Sequence, residues 1–154
     1  MFEGVSTLSL DAKGRLAVPA RHRSTLEECC ASRVAVTVNP MAGEPCLWLY
    51  PEGEWREVVR TLEGLPAFDP QAQAMRRFMI GYASPLELDA QGRIKLSAEQ
   101  CKFAGLDKRI ALVGQGRKFE IWDEQAWARN QPQWQSLLVN EEGQLSPALQ
   151  GLVL

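Results

Sequence analysis

Two short stretches of this sequence combine an aspartate, a glycine and an arginine at identical spacing. They are Asp11-Ala12-Lys13-Gly14-Arg15 and Asp89-Ala90-Gln91-Gly92-Arg93. In each, the carboxylate can bond backbone amides at a turn, and the glycine can adopt the positive φ that other residues avoid. A guanidinium held on such a turn is a planar donor fork that suits a phosphate, or the O6 and N7 atoms of guanine. These residues therefore suggest recognition of nucleic acid.

Apolar residues alternate along the strands around these turns and predict which side chains face outward. Leu16 and Val18 form the apolar side of their strand, so Arg15 lies on the opposite side, facing solvent or a partner. The same alternation in the second copy places Arg93 and Lys95 on the outward side of their strand. Other basic residues would add charge for phosphates, although a solvated helix face is their alternative interpretation. The predicted DNA-binding set is Asp11, Lys13, Gly14, Arg15, Arg21, Arg23, Arg93 and Lys95.

A simpler interpretation of the first turn remains open from spacing alone. Arg15 could merely pair with Asp11, four residues away, as an exposed ion pair. Such pairs contribute little to stability. A weak pair gives no evident reason for the whole motif to recur with its glycine, although duplication followed by drift would preserve part of it.

The recurrence is part of an internal repeat that organises most of the chain. Leu8–Leu16 aligns with Leu86–Ile94 at a shift of 78 positions, the difference between 86 and 8. The alignment continues from Arg33–Val36 to Arg109–Leu112, and then from Trp48–Trp55 to Glu120–Trp127, with a longer middle loop in the first copy.

Each copy predicts a strand, a tight turn, a strand, a short helix, two further strands and a helix. Pro19 suits the first turn of the first helix, Ser97 is a candidate N-cap in the second copy, and Asp69-Pro70 begins a connecting helix that ends near Gly81. The class is α+β. The predicted division is a first domain at 1–64, a helical connector at 65–83, a second domain at 84–130, and a C-terminal helix and tail at 131–154.

Composition limits the possible classes of protein. The chain has 154 residues, 45% of them apolar, which is enough for one domain or two small halves with a shared core. Its apolar runs are far shorter than the roughly 20 residues that span a bilayer, so we expect a cytoplasmic protein without a membrane partner. The net charge of −2 argues against a protein coated in nucleic acid, but salt-dependent binding needs only a local basic face.

Catalytic and metal-binding patterns are missing from the sequence. The four cysteines form no CxxC pair, and His22 is the single histidine, so we expect no metal, no cofactor and free, largely apolar thiols in a reducing compartment. There is no GxSxG, HExxH or Walker motif, and any histidine-dependent triad would rest on His22 alone. The sequence therefore predicts neither an enzyme nor a small-molecule substrate.

Several motifs in order along the chain resemble the MraZ family. They are Met1-Phe2, Leu10–Pro19, Leu47–Pro51, Leu112–Gln115 and Phe119–Asp123. The resemblance implies tandem AbrB-like swapped-hairpin β modules that form a pseudo-twofold β core flanked by short helices. It also implies that the DNA-contacting arginine of the family falls on Arg15, with Arg93 as its counterpart. Gln91 replaces Lys13 and Ser97 replaces Pro19 in the second copy, which leaves the role of the second turn open.

The function implied by the resemblance is transcriptional regulation by a nucleoid-associated protein. It would bind double-stranded DNA at tandem repeats upstream of its own gene, as a ring-like homo-oligomer, and repress a cluster of division and cell-wall genes. Short strand pairs with exposed edges give an independent physical reason for assembly. The alternative is a protein-binding module, antitoxin-like or a structural ring, in which the five tryptophans would be interface anchors rather than core residues.

Overall fold

Alternating apolar residues produce eight strands in the computed structural model, which describes residues 1–41 and 43–154. The strands are β1 Val5–Ser9, β2 Arg15–Ala17, β3 Arg33–Val38, β4 Leu47–Pro51, β5 Ser84–Glu87, β6 Arg93–Lys95, β7 Arg109–Gly114 and β8 Phe119–Asp123. The α-helices are α1 Ala20–Cys30, α2 Glu52–Glu63, α3 Pro70–Met79, α4 Ala98–Phe103 and α5 Glu124–Ser136. The element order predicted for each copy is confirmed.

Local sequence explains where several helices begin. The side chain of Asp69 accepts a hydrogen bond from the backbone amide of Ala72 at the start of α3. Ser97 and Gln100 form a reciprocal capping box at the start of α4. Pro19 differs slightly from the prediction because it is the N-cap residue of α1 and has an extended ψ of 143°, outside the first helical turn.

Six strands form one antiparallel sheet in the order β1-β7-β8-β4-β3-β5. This order maps onto itself when the two copies are exchanged, since β1, β3 and β4 correspond to β5, β7 and β8. Each copy donates an edge strand to the other: β1 pairs with β7, and β5 pairs with β3. The remaining strands, β2 and β6, pair with each other in a separate antiparallel ribbon.

Each face of the large sheet is covered by apolar side chains. One face carries α1, α4 and the ribbon, and its core includes Leu16, Ile94 and Phe119, all almost fully buried. The other face carries α2 and α3 over a smaller cluster that contains Tyr50 and Trp55. The different packing of the two faces fixes the register of the strands, because a slip by one residue would move every side chain to the opposite face.

The chain divides into two compact units, Met1–Glu124 and Gln125–Leu154. The sheet and the ribbon belong to the first unit. The second contains most of α5, where the rings of Trp127 and Trp134 lie 5.2 Å apart, and a short 3-10 helix at Pro147–Leu149. α5 continues across the boundary predicted at residue 130, and the division into four segments stays a prediction. Within the described residues, no helix combines the length and apolar character needed to cross a membrane.

Candidate nucleic-acid interface

The first turn is held together by the carboxylate of Asp11. Its Oδ1 atom accepts hydrogen bonds from the backbone amides of Lys13 and Arg15, both at 2.9 Å. Its Oδ2 atom accepts the Nε–H of Arg15 at 2.7 Å. Gly14 has a φ of +81°, which favours glycine at this position. The turn-forming roles predicted for Asp11 and Gly14 are confirmed.

The second turn repeats this geometry. Oδ1 of Asp89 accepts from the backbone amides of Gln91 and Arg93 at 2.9 and 2.8 Å, and Oδ2 accepts from Nε of Arg93 at 2.9 Å. Gly92 has a φ of +72°. The second turn differs from the first at Gln91, whose side-chain oxygen accepts a long hydrogen bond of 3.4 Å from a terminal nitrogen of Arg93.

Both carboxylates are stabilised in their charged form. The backbone N–H of Arg15 is the largest influence that lowers the pKa of Asp11, and the side-chain hydrogen bond and charge of Arg15 act in the same direction. The pKa of Asp89 is lowered in the same way, chiefly by the backbone N–H of Arg93. Each turn therefore keeps its carboxylate ionised, and its arginine oriented, at neutral pH.

The two turns flank the ribbon formed by β2 and β6, and this ribbon is basic on its outer side. Arg15 lies opposite Lys95, and Ala17 lies opposite Arg93. The inward residue between them in each strand, Leu16 or Ile94, is buried. The side chains of Arg15 and Arg93 are 33% and 35% exposed. Three cationic side chains therefore share one exposed strip, with the exposed Lys13 at its end.

Arg21 and Arg23, predicted as further phosphate contacts, have different surroundings. Arg21 is exposed and bonds the hydroxyl of Ser6 and Nε2 of His22, both at 3.2 Å. Arg23 is half-buried, and its Nε donates to the carbonyl of Val18. The alternative interpretation of Arg23 as part of a solvated helix face is wrong, because its guanidinium is half-buried and bonded within the fold. DNA contact by the predicted set stays a prediction.

Residues far from the turns in sequence also reach this region. Lys108 and Arg109 line the same groove as Lys13 and Lys95. Sequence reasoning missed Lys108, since only the folded chain brings the start of β7 beside the first turn. The one available signal was the alignment of Arg109 with Arg33 in the repeat.

The remaining reactive side chains are structural. His22 lies between the rings of Phe2 and Phe119, and burial, followed by the charge of Arg21, lowers its pKa. All four cysteines are free; Cys46 is fully buried, and burial raises its pKa to about 12. Cys29, by contrast, is exposed. The described part of the chain holds no group of three or more His, Cys, Asp or Glu residues that could bind a metal.

The fold and the ribbon define a class: α+β proteins built from two interlaced repeats, with a basic β-ribbon displayed on the surface. Comparison with known families narrows this class. The model of the family described as "MraZ protein, putative antitoxin-like" matches residues 1–78 and again residues 79–142. The chain therefore belongs to the MraZ family, as its motifs predicted.

Similar proteins cover most or all of the chain. A protein of Halorhodospira halophila is 41% identical over 154 residues, which is 100% of both chains. One from Nitrosococcus oceani is 50% identical over 129 residues, 84% of this chain and 85% of the relative, and one from Thioalkalivibrio sulfidiphilus is 45% identical over 87% of each. Each is named "Transcriptional regulator MraZ", a regulator rather than an enzyme, in agreement with the absence of catalytic motifs.

Proposed function

We propose that this protein is a transcriptional regulator that binds double-stranded DNA through the outer side of the β2–β6 ribbon and its two turns. The observation that carries the proposal is the register that places Arg15 directly opposite Lys95, with Arg93 on the same side. Like charges at opposed positions destabilise a β-ribbon. A polyanionic ligand offsets that repulsion, whereas a purely structural ribbon gains nothing from it.

The dimensions of a two-stranded ribbon suit the major groove of B-DNA. Nε of Arg15 is bound by Asp11, and its two terminal nitrogens have no partner among the described residues. They form the free end of the fork, which can bond a phosphate or the O6 and N7 atoms of guanine. Lys13 and Lys95, both exposed, would contact phosphates. Arg21 is placed to add charge, whereas Arg23 and Gly14 support the turns.

The exchange of edge strands between the copies supports the AbrB-like swapped-hairpin arrangement that the family resemblance implies. In this arrangement each turn leads from the large sheet to the shared ribbon, so the halves act as a pseudo-twofold pair. A pair of turns related in this way is suited to two successive contacts on one duplex. This is the reason for including Arg93 in the interface.

The biological role that the resemblance implies completes the proposal. The protein would act in the cytoplasm, associated with the nucleoid, as a repressor of its own division and cell-wall gene cluster. A ring-like oligomer would place several ribbons on tandem repeats, and linked weak contacts gain avidity without any one being tight. This would reconcile a net charge of −2 with useful affinity.

The test is a gel shift of the purified full-length protein on DNA from upstream of its own gene. We expect Arg15→Ala to weaken binding by about 1–3 kcal/mol per engaged turn if the guanidinium reads a base bidentately. Lys95→Ala should weaken binding to all sequences and reduce the slope of log affinity against log salt by about 1 if Lys95 contacts a phosphate. Arg93→Ala measures the contribution of the second turn.

Arg60→Ala is the matched control. Arg60 is 67% exposed and pairs with Glu57 on α2, on the opposite face of the sheet from the ribbon. We expect its variant to bind DNA like the unmodified protein. Unchanged, salt-insensitive DNA binding by a folded Arg15→Ala protein would refute the interface.

The protein-binding alternative predicts a different result. An antitoxin-like or structural module would show neither a steep dependence on salt nor a dependence on Arg15. The same measurements therefore distinguish the two functions.

A further inference from the structure

A large groove opens beside the first turn. Its volume is about 1190 Å³. One wall is formed by residues 9–14, and the others by the start of α4 and the segment that precedes β7. Its apolar lining includes Leu10, Leu86, Leu96, Ala98, Cys101 and Leu106.

One difference between the copies changes the space beside the two turns. Arg23 of α1 packs directly on Gly92 of the second turn, so closely that a Cβ atom there would lie 2.1 Å from its Nε. The residue aligned with Arg23 is Cys101, at the shift of 78 positions. Its short side chain leaves the corresponding space beside Gly14 open. The Leu96 carbonyl, the counterpart of the Val18 carbonyl that Arg23 bonds, has no side-chain donor among the described residues.

The rim of the groove is positively charged. Lys13, Lys95 and Lys108 are exposed and have no ion-pair partner among the described residues. The lining also contains two acids: Asp11 is engaged by Arg15, whereas Asp107 lies beside Lys108 and offsets part of the positive charge. Arg109 pairs with Glu124 at 3.4 Å. Three lysines outnumber the one unpaired carboxylate of the lining, that of Asp107, and surround an apolar floor, which favours an occupant that is both apolar and acidic.

The C-terminal segment 137–154 has this composition. It contains no lysine, arginine or histidine, and its charged side chains are Glu141 and Glu142. Most of its apolar side chains are well exposed: Leu137, Leu138, Val139, Leu145, Leu152, Val153 and Leu154. Exposed apolar side chains so concentrated in one segment are typical of a surface that binds a partner.

We propose that the groove beside the first turn docks segment 137–154 of a second copy of this chain. Its apolar side chains lie on the floor of the groove, and Glu141 and Glu142 approach the lysines of the rim. Docking covers Lys13 and the first turn, and therefore competes with nucleic acid. That consequence alone rests on the function proposed above; the docking does not.

Site-specific photo-crosslinking of the full-length protein, without DNA, tests the docking. A benzophenone amino acid replaces Leu145 in one sample and Leu152 in another, and each is mixed with an isotopically heavy, unmodified protein. After illumination, mass spectrometry identifies the crosslinked peptides. We expect light-to-heavy adducts on residues 9–14, 95–98 or 106–109, the segments that line the groove.

Charge reversal then tests the recognition. Lys108→Glu in the heavy protein should reduce the yield about two- to fivefold, the range expected for an exposed ion pair. Glu141→Lys in the light protein should restore it. Lys102→Glu is the control, since Lys102 is exposed on α4 but does not line the groove. Adducts only within one copy, only on other surfaces, or none from either position would overturn the proposal, whatever the DNA-binding result.

Discussion

The Asp–Arg pairs show how one side chain can be both structural and available for binding. Asp11 engages the guanidinium of Arg15 through Nε alone, at 2.7 Å, which fixes the direction of that group. The terminal nitrogens remain at the surface, so a surface ion pair and a role in binding are compatible interpretations of the same residue. In the second turn, one terminal nitrogen of Arg93 donates a hydrogen bond to the side-chain oxygen of Gln91. In the interface proposed above, we therefore expect Arg15 and Arg93 to contribute unequally to binding.

At the residue scale, the titration of Asp11 reports whether the turn is organised as described. We expect its pKa, measured by carbon-detected NMR, to lie below the ordinary value of 3.8. Because the folded-state pKa is depressed, the stabilisation is present above the unfolded-state value and is lost as the pH falls through the folded-state pKa. In Arg15→Ala the pKa should stay below 3.8, because its largest cause, the backbone N–H of residue 15, is retained. A return to 3.8 in that variant would show that the side chain alone holds the carboxylate.

Gly14 and Gly92 also predict different responses to the same substitution. Alanine at either position must adopt a positive φ, at roughly 1–2 kcal/mol. At Gly14 the new methyl group also lies 2.9 Å from the backbone carbonyl of Leu96, whereas at Gly92 it meets the side chain of Arg23. We expect Arg23→Ala to offset part of the destabilisation by Gly92→Ala, and none of that by Gly14→Ala. Urea unfolding of the single and double variants measures this, and equal rescue at both positions would contradict it.

At the scale of elements, α4 is tied to the sheet by one buried side chain. The two N–H groups of the Gln100 side chain are shared among three acceptors, the carbonyls of Val36 and Tyr82 and the hydroxyl of Ser84, at 2.8–3.1 Å. Its oxygen accepts the backbone N–H of Ser97. Gln100 thus completes the cap of its own helix while satisfying polar groups of β3 and of the chain that enters β5.

Removal of this side chain should loosen α4. We expect Gln100→Ala to lower the free energy of unfolding by about 1–3 kcal/mol, because buried polar groups lose their partners. Lys102→Gln, on the exposed side of the same helix, should change it by less than about 0.5 kcal/mol. Chemical denaturation checks both. Equal stability of Gln100→Ala and the unmodified protein would show that water replaces the side chain.

At the scale of the whole molecule, the sheet of the first unit cannot be separated into two complete halves. β1 of the first copy is hydrogen-bonded to β7 of the second, and β5 of the second is hydrogen-bonded to β3 of the first. Each copy alone would leave an edge of the sheet unpaired and apolar side chains uncovered.

The two copies should therefore associate even when the covalent link between them is cut. We expect fragments 1–83 and 84–154, expressed together as separate chains, to copurify as a one-to-one complex with cooperative unfolding. Each fragment alone should be unfolded or self-associated. Size-exclusion chromatography and circular dichroism distinguish these states. A fragment that melts cooperatively as a monomer would contradict the interlaced sheet.

The sequence predicted the local features of this fold more completely than the long-range ones. The repeat, the element order, the helix that begins at Asp69-Pro70 and the N-cap at Ser97 follow from periodicity and side-chain chemistry within a few residues. The exchange of edge strands does not, since alternation indicates a strand but not its partner. For the same reason the outward direction of Arg15 was predictable, whereas its position opposite Lys95 and the burial of Arg23 were not.

The replacement of Arg23 by Cys101 in the second copy shows what fusion of the two copies permits. A symmetric pair of identical chains carries every mutation twice, so the same side chain must pack beside both turns. In a fused chain each turn can evolve separately. One turn can be packed against a side chain of the fold while the other stays accessible to a ligand. A single gene can thereby encode two different surfaces that would otherwise require two different subunits.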